Sequence, residues 1–222
     1  MLCLLLLLCF AIPVEAVTLY VDVPEEAWYA ESVDYVTDQQ LMMGTGNGAF
    51  SPDVITNRSM VVTVLWRHAG KPGDGFHMMP YPDEVKNQFY DIFAKEWGMK
   101  NDIIEGYPII PDQSGGAQNV PETGYFENFK GENPVTREEL ACFLYRYAKY
   151  AGADVSETAS LEGFADAASV SDWAEVALSW CVAEGIIQGT PEGDSLNLAP
   201  ADHATRAEVA AMLMRYCQMI GQ

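Results

Sequence analysis

The stretch Thr205-Arg206-Ala207-Glu208 has two close counterparts in this chain, Asn57-Arg58-Ser59-Met60 and Thr136-Arg137-Glu138-Glu139. We call them the last, first and middle arginine motifs. Each is followed by an apolar run that ends in a second arginine, nine residues after the first. Such recurrence predicts a repeat fold, because one unit of this kind cannot bury its apolar face alone. The second arginines are Arg67, Arg146 and Arg215.

Each arginine motif is predicted to start a helix. Thr136 with Glu139, and Thr205 with Glu208, fit a capping box, in which the hydroxyl and the carboxylate each bind a free backbone amide. In the first motif Asn57 is still an acceptable N-cap, but Met60 offers no carboxylate. After the middle and last motifs, apolar residues recur at positions i, i+3, i+4 and i+7, which indicates one buried helical face.

A second helix is predicted ahead of each motif, opened by an aspartate and a tryptophan. These pairs are Asp22 with Trp28 and Asp166 with Trp173. A glycine stands 16 residues after each tryptophan. We expect both glycines to act as helix C-caps, where a left-handed backbone is favoured. They are Gly44 and Gly189.

The domain boundaries follow from these units. The apolar start, with small residues at positions 14 and 16, predicts a secretory signal peptide over residues 1–16. Three units then span residues 17–70, 71–150 and 151–222. The middle unit is divergent: it has Tyr90 where a tryptophan is expected, and a long loop over residues 107–128 that is rich in Pro, Gly, Asn and Gln.

Composition excludes several classes of function. The chain has 32 acidic and 12 basic residues, a net charge of −20, so neither nucleic acid nor an anionic membrane is expected as a partner. No zinc motif and no serine nucleophile motif occurs, so we expect no enzyme, no metal and no cofactor. Three cysteines in apolar helical runs are predicted to be buried free thiols, with one disulfide as the alternative. They are Cys142, Cys181 and Cys217.

The combined pattern resembles the S-layer homology domain, in its usual arrangement of three tandem repeats. The resemblance covers residues from about 20 to 218. Its strongest carriers are Phe164-Ala165-Asp166, Trp173-Ala174, the stretch from Glu184 to Gly189, and the last arginine motif. The resemblance implies a mainly α-helical fold, a pseudo-threefold bundle with short loops and minimal strand. It also implies non-covalent attachment of an exported protein to a secondary cell wall polysaccharide.

The same resemblance implies ligand-binding residues. The motif arginines Arg58, Arg137 and Arg206 would reach the ligand in grooves between repeats. Large side chains beside them would form either the groove walls or the core. These are Trp28, Trp173, Phe50, Phe129 and Leu198.

The residues themselves leave both possibilities open. An arginine at the first helical position lies at the unfavourable end of the helix dipole and requires a compensating partner. That partner is either a neighbouring carboxylate or a sugar carboxylate held bidentately. A tryptophan at the start of an amphipathic helix usually belongs to the core, with sugar stacking as the alternative. The second arginines are expected to make surface or inter-repeat ion pairs.

Two functional hypotheses follow. In the first, the chain is a cell-wall-binding module that holds an anionic, for instance pyruvylated, polysaccharide at the cell surface. In the second, it is a structural module that self-associates or holds a surface-layer protein without binding polysaccharide. Both place the exported chain outside the cell, at the cell wall or S-layer.

Overall fold

The computed structural model describes residues 19–72, 91–105 and 129–221. The predicted signal peptide over residues 1–16, Tyr90 and the predicted loop over residues 107–128 lie outside these ranges.

The described residues are mainly helical, as the sequence predicts. Three helices, the lead helices, are α1 (Ala30–Asp38), α3 (Ile92–Lys100) and α5 (Glu175–Ala183). The other three, the motif helices, are α2 (Arg58–His68), α4 (Arg137–Tyr150) and α6 (Arg206–Met219), and each begins at the arginine of its motif. A short 3-10 helix spans Ala167–Ser169. One antiparallel hairpin pairs β1 (Thr190–Glu192) with β2 (Ser195–Asn197).

The motif helices begin where the predicted caps place them. Thr136 and Thr205 each form a complete capping box, with Glu139 and Glu208 respectively. The Asn57 side chain accepts from the amide of Met60 at 2.8 Å, so α2 has an N-cap without the returning carboxylate. The inequality of the three motifs predicted from sequence is therefore present in the structure.

Helices pack between consecutive units rather than within them. Helix α2 packs on α3, α4 packs on α5, and α6 packs back on α1. The leucine seven residues after each motif arginine is almost fully buried in the shared core, as in Leu65, Leu144 and Leu213. Because α1 depends on α6 for its buried face, the first and last helices of the described chain stabilise each other.

Three backbone hydrogen bonds form a closed cycle among the segments that precede the motifs. The amide of Thr56 donates to Ala204, that of Ala204 donates to Val135, and that of Val135 donates to Thr56, over 2.9, 3.0 and 3.0 Å. All three residues stand two positions before a motif arginine. This cycle joins the three motifs at one point, with each segment bonded to both others.

The prediction that Gly44 and Gly189 cap helices is wrong. Helix α1 ends at Asp38 and α5 at Ala183, and the left-handed residues that follow are Gln40 (φ 56°) and Gly185 (φ 68°). The two predicted glycines are required by close contact instead. A Cβ at Gly44 would lie 2.6 Å from the ring of Tyr20, and one at Gly189 would lie 2.7 Å from the ring of Phe164.

Cys142, Cys181 and Cys217 are buried and free, so the predicted thiols are confirmed and the alternative disulfide is not formed. Burial raises the pKa of the Cys142 thiol to about 11. These cysteines pack as small apolar side chains.

Candidate functional site

The three motif arginines are buried at the junctions between units. Arg58, Arg137 and Arg206 are only 4%, 5% and 8% exposed. Each Nε donates to the backbone carbonyl of the residue that stands eight positions before the next motif arginine. The acceptors are Phe129 (3.0 Å) for Arg58, Leu198 (2.8 Å) for Arg137 and Phe50 (2.8 Å) for Arg206.

Two of these arginines are neutralised by the capping glutamate of the following motif. Arg58 pairs with Glu139, and Arg137 pairs with Glu208 at 2.6 Å. The other oxygen of each glutamate accepts from the N-cap amide, that of Thr136 (3.0 Å) or Thr205 (2.8 Å). The sequence left two possible partners for the arginine, a neighbouring carboxylate or a sugar carboxylate. At these two junctions the partner is the neighbouring carboxylate.

Arg206 has no such carboxylate among the described residues. Met60 occupies the place that Glu139 and Glu208 hold in the other motifs. The Nη2 of Arg206 donates to the carbonyl of Met43 at 2.7 Å, and its guanidinium lies 4.5 Å from the centre of the Phe50 ring. Burial lowers the pKa of Arg206 from its usual value, although arginine keeps its proton at any physiological pH.

Three of the large side chains predicted to form either the groove walls or the core belong to the core. Phe50, Phe129 and Leu198 are 0% exposed, so their side chains cannot contact a ligand. Sequence reasoning missed that the carbonyls of these three residues accept from the motif arginines. The residue after each of them has a left-handed backbone, with φ 61° at Ser51, 48° at Lys130 and 50° at Ala199.

Two aspartates fix these loops. The carboxylate of Asp22 accepts from the amides of Phe50 and Ser51, both at 2.7 Å. Asp166 accepts in the same way from the amides of Leu198 and Ala199, again at 2.7 Å. The sequence assigned these aspartates to helix starts. Their actual role is to hold the carbonyls of Phe50 and Leu198 in position for Arg206 and Arg137.

The expectation that Trp28 and Trp173 belong to the core is wrong. They are 65% and 58% exposed. Because α1 begins at Ala30 and α5 at Glu175, both tryptophans precede the first helical turn. The buried indoles are Trp97 and Trp180, which lie inside the lead helices.

Trp28 lines a groove of about 420 Å³ that we call the Arg137 groove. Its lining also includes Arg137, Glu208 and Arg215, together with the segment 187–191. Burial, and then the nearby charge of Arg137, lowers the pKa of Arg215. The groove thus combines an exposed indole with two guanidinium groups and one carboxylate. It brings together two residues predicted from sequence, Arg137 and Trp28.

A second groove of about 210 Å³, the Arg206 groove, lies at the junction between the last and first motifs. Its lining includes Arg206, Arg67, Thr56, Met43 and Met60, and contains no acidic residue. Trp173 lines neither groove.

Among the described residues, the prediction of ion pairs for the second arginines holds only for Arg146, which pairs with Glu105 at 2.9 Å. Arg67 donates instead to the carbonyl of Leu41 (3.0 Å), and Arg215 to that of Ile186 (3.1 Å). Each bond ties a motif helix to the turn after the lead helix of its own unit.

Within residues 19–72, 91–105 and 129–221, no cluster of three or more His, Cys, Asp or Glu side chains has the arrangement of a metal site. In the same ranges, every helix is too short or too polar to cross a lipid bilayer.

Comparison with known proteins identifies one family. The model of the S-layer homology domain matches residues 19–59 and 163–210. These two segments contain Asp22, Asp166, the last arginine motif and the first motif as far as Ser59, whereas the middle motif lies outside them.

Similar proteins include surface proteins and enzymes of much greater length. The Surface-layer 125 kDa protein of Lysinibacillus sphaericus is 27% identical over 207 residues, which cover 92% of this chain and 15% of that protein. Amylopullulanase of Thermoanaerobacterium thermosulfurigenes is 22% identical over 85% of this chain and 9% of its own length. Cell surface glycoprotein 1 of Acetivibrio thermocellus is 31% identical over 48% of this chain and 4% of its own length. The chain therefore spans only a small part of each relative.

These similarities indicate an exported chain located at the cell wall or cell surface. They also indicate that this region is a binding module rather than a catalytic one, since the family model matches it while the enzyme among the relatives shares only a small part of its length. Residues 19–59 and 163–210 thus match the family model of the S-layer homology domain.

Proposed function

We propose that this chain attaches an exported protein to the cell wall by binding an anionic polysaccharide in grooves between three pseudo-threefold repeats. The observation that carries the proposal is the Arg137 groove. Its walls come from three units: Trp28 from the first, Arg137 from the second, and Glu208 and Arg215 from the third.

The cyclic contacts support the threefold arrangement. Each motif arginine donates to a carbonyl of the next unit, and the last, Arg206, returns to Phe50 in the first. The backbone cycle among Thr56, Val135 and Ala204 joins the same three units, with each amide donating to the preceding unit. A ring of three repeats has three junctions, and each junction is a candidate groove.

The chemistry of the Arg137 groove suits a charged saccharide. The Trp28 indole is 65% exposed and offers a flat apolar face on which a sugar ring can stack. A ligand stacked there would cover this face. The two guanidinium groups supply fixed donors for anionic substituents. Glu208 balances the charge of only one of these two guanidinium groups, so the groove keeps a local positive charge.

The net charge of −20 does not oppose this function. Exposed charges separated by more than about 8 Å are largely screened at physiological ionic strength. Contacts inside a groove are shorter than that, so the local arginines govern binding of the anion there.

The test is binding of the purified chain to cell-wall sacculi, with Trp28→Ala compared to Trp173→Ala. Trp28→Ala is expected to weaken sedimentation with sacculi about tenfold, since a stacking contact of this kind contributes roughly 1–2 kcal/mol. Trp173→Ala removes an equally exposed indole that lines neither groove, and is expected to bind like the original chain. Both side chains are exposed, so neither change disturbs the core.

Equal sedimentation of all three proteins would contradict the proposal. So would equal binding to sacculi from which the anionic polymer has been removed. Circular dichroism of each variant checks that the helices are intact.

Assembly without polysaccharide is the second candidate, and one observation favours it. Trp173, just before α5, and Val176, in its first turn, are both 58% exposed and leave large apolar side chains at the surface near the start of α5. Light scattering separates the two functions. An oligomer that is indifferent to polysaccharide and is dissociated by Trp173→Ala would favour assembly.

A further inference from the structure

We infer that Met60 is a specificity-determining residue, which opens the Arg206 groove to a carboxylate carried by the ligand. In this groove the ligand's carboxylate takes the place that Glu139 and Glu208 fill beside Arg58 and Arg137. The inference rests on the proposed function and deepens it, because it assigns the acidic substituent of the polysaccharide to one of the three junctions.

The first step is the equivalence of three positions. Met60, Glu139 and Glu208 each stand three residues after an N-cap, and the last two accept from the Nη1 of the preceding motif arginine. The Nε and Nη2 of Arg206 are held by the carbonyls of Phe50 and Met43. The Nη1 of Arg206 is therefore equivalent to the nitrogens of Arg58 and Arg137 that donate to a glutamate. A thioether at position 60 cannot supply the anion that this nitrogen receives elsewhere.

The second step is the charge of the three junctions. Around Arg58, the guanidinium groups of Arg58 and Arg146 are matched by Glu139 and Glu105. In the Arg137 groove one carboxylate faces two arginines. In the Arg206 groove no acidic residue lines the cavity beside its two arginines, although the charge of Asp22 acts on Arg206. Substitution of one glutamate by Met60 therefore gives this junction the largest positive charge of the three.

The third step is an independent polar group. The side chain of Thr56 is 1% exposed and lines the Arg206 groove, yet its hydroxyl has no hydrogen-bond partner among the described residues. The equivalent positions, Val135 and Ala204, carry no hydroxyl. Burying a hydroxyl without a partner is unfavourable, and a ligand oxygen in the groove would accept its proton. Thr56 and Arg206 thus offer two donors to the same small cavity.

The size of the groove limits what enters. A volume of about 210 Å³ holds a carboxylate with a small apolar neighbour rather than several sugar rings. Met43 and Met60, which are 60% and 36% exposed, provide the apolar contact. The groove therefore selects an acidic substituent, while the larger Arg137 groove accommodates the sugar body.

The test compares three proteins: the original chain, Met60→Glu and Met60→Gln. Glutamate and glutamine both complete a capping box, but only glutamate supplies a charge to Arg206. Thermal unfolding is followed in sodium acetate or sodium pyruvate, against sodium chloride at the same ionic strength. The original chain and Met60→Gln are expected to gain thermal stability in the carboxylate salts, because the anion binds only the folded state.

Met60→Glu is expected to melt at a higher temperature than Met60→Gln in chloride, and to show no further gain in acetate or pyruvate. It is also expected to bind sacculi about tenfold or more weakly, since a charge-assisted bond to the ligand is lost. A Met60→Glu protein that responds to carboxylates as the original chain does would overturn the inference.

The two proposals fail in different ways. If Trp28→Ala weakens binding to sacculi but Met60→Glu leaves it unchanged, the Arg206 groove does not hold the wall carboxylate and this inference is wrong, while wall binding stands. If neither change affects sacculi, the proposed function fails.

Discussion

The three buried guanidinium groups differ in how their charge is balanced, although their positions are equivalent. An arginine at the first helical position is disfavoured by the helix dipole, by roughly 0.3–1 kcal/mol. Carbonyl acceptors compensate all three arginines, and a glutamate compensates Arg58 and Arg137 in addition. Arg206 is bound by carbonyls and lies against an aromatic ring, and the charge of Asp22 acts on it, but no capping glutamate pairs with it. An added anion is therefore expected to stabilise Arg206 more than the other two arginines.

Glu139→Gln is expected to destabilise the fold more than Glu208→Gln. Both substitutions keep a helix cap but leave an arginine without its ion partner. The Glu139 side chain is 12% exposed and the Glu208 side chain 23%, so water relieves the second loss more. Breaking a buried pair costs about 3–5 kcal/mol, and we expect Glu139→Gln to approach the lower figure. Urea unfolding measures both, with the exposed Glu157→Gln as control; equal losses in all three would refute the role of the pairs.

At the residue scale, the sequence predicted the caps and the need for a counter-charge, but not its source. A capping box lies within four residues and is visible as a local pattern. Glu139 lies 81 residues after Arg58, and Glu208 lies 71 after Arg137, so only the fold brings them together. The carbonyls of Phe50 and Phe129 were missed for a related reason, since any residue has a carbonyl and sequence does not indicate its direction.

At the element scale, the amphipathic stripes predicted which helical faces are buried but not what covers them. A stripe fixes one side of a helix, while its partner depends on the path of the chain. Each motif helix packs on the lead helix of the following unit. The ends of the lead helices were placed late, because a glycine was taken as the stop. After α1 and α3 the left-handed residue is not a glycine but Gln40 and Asp102, respectively.

Gly189→Ala is expected to cost at least twice as much stability as Gly185→Ala. Both glycines have positive φ, +80° and +68°, so both substitutions carry the left-handed penalty of about 1–2 kcal/mol. Only at Gly189 would the new Cβ also meet a neighbour, the Phe164 ring at 2.7 Å. Thermal and urea unfolding of the two variants give the comparison. Equal losses would show that the Phe164 ring moves freely and that close contact does not require the glycine.

At the scale of the whole molecule, the contacts form a ring that closes between the first and last described parts of the chain. Helix α6 packs on α1, Arg206 donates to Phe50, and Thr56 donates to Ala204. In the proposed threefold arrangement these are the same contacts that join the other units. Because the ring is closed, the stability of each junction depends on the other two. A substitution at one junction is therefore expected to change the stability of all three.

The three motif helices also converge on one aromatic cluster. His68, Tyr147 and Tyr216 each stand ten residues after a motif arginine. Their ring centres are 5.5–6.0 Å apart, and the Nδ1 of His68 lies 2.6 Å from the Tyr147 hydroxyl. The adjoining cavity is lined by Tyr35, Arg67 and Cys217 among others, and by no carboxylate. A proton on His68 would place a positive charge at the meeting point of three units, in a cavity whose described lining offers no counter-ion.

Stability is therefore expected to fall as the pH decreases below about 6.5, the ordinary pKa of histidine. Burial lowers the pKa of His68 in the folded chain, so the unfolded chain binds the proton first. The contribution of neutral His68 is fully present above that pH and is lost toward the lower folded pKa. Because His68 is only half-buried, the change of the unfolding free energy with pH is expected to stay well below about 1.4 kcal/mol per pH unit, the limit for one proton.

Urea unfolding of the original chain and of His68→Gln between pH 5 and 8 measures this pH dependence. Groups such as Glu96, whose pKa burial raises, are common to both proteins, so their effect is absent from the difference. Parallel stability curves for the two proteins would show that the cluster does not respond to the proton.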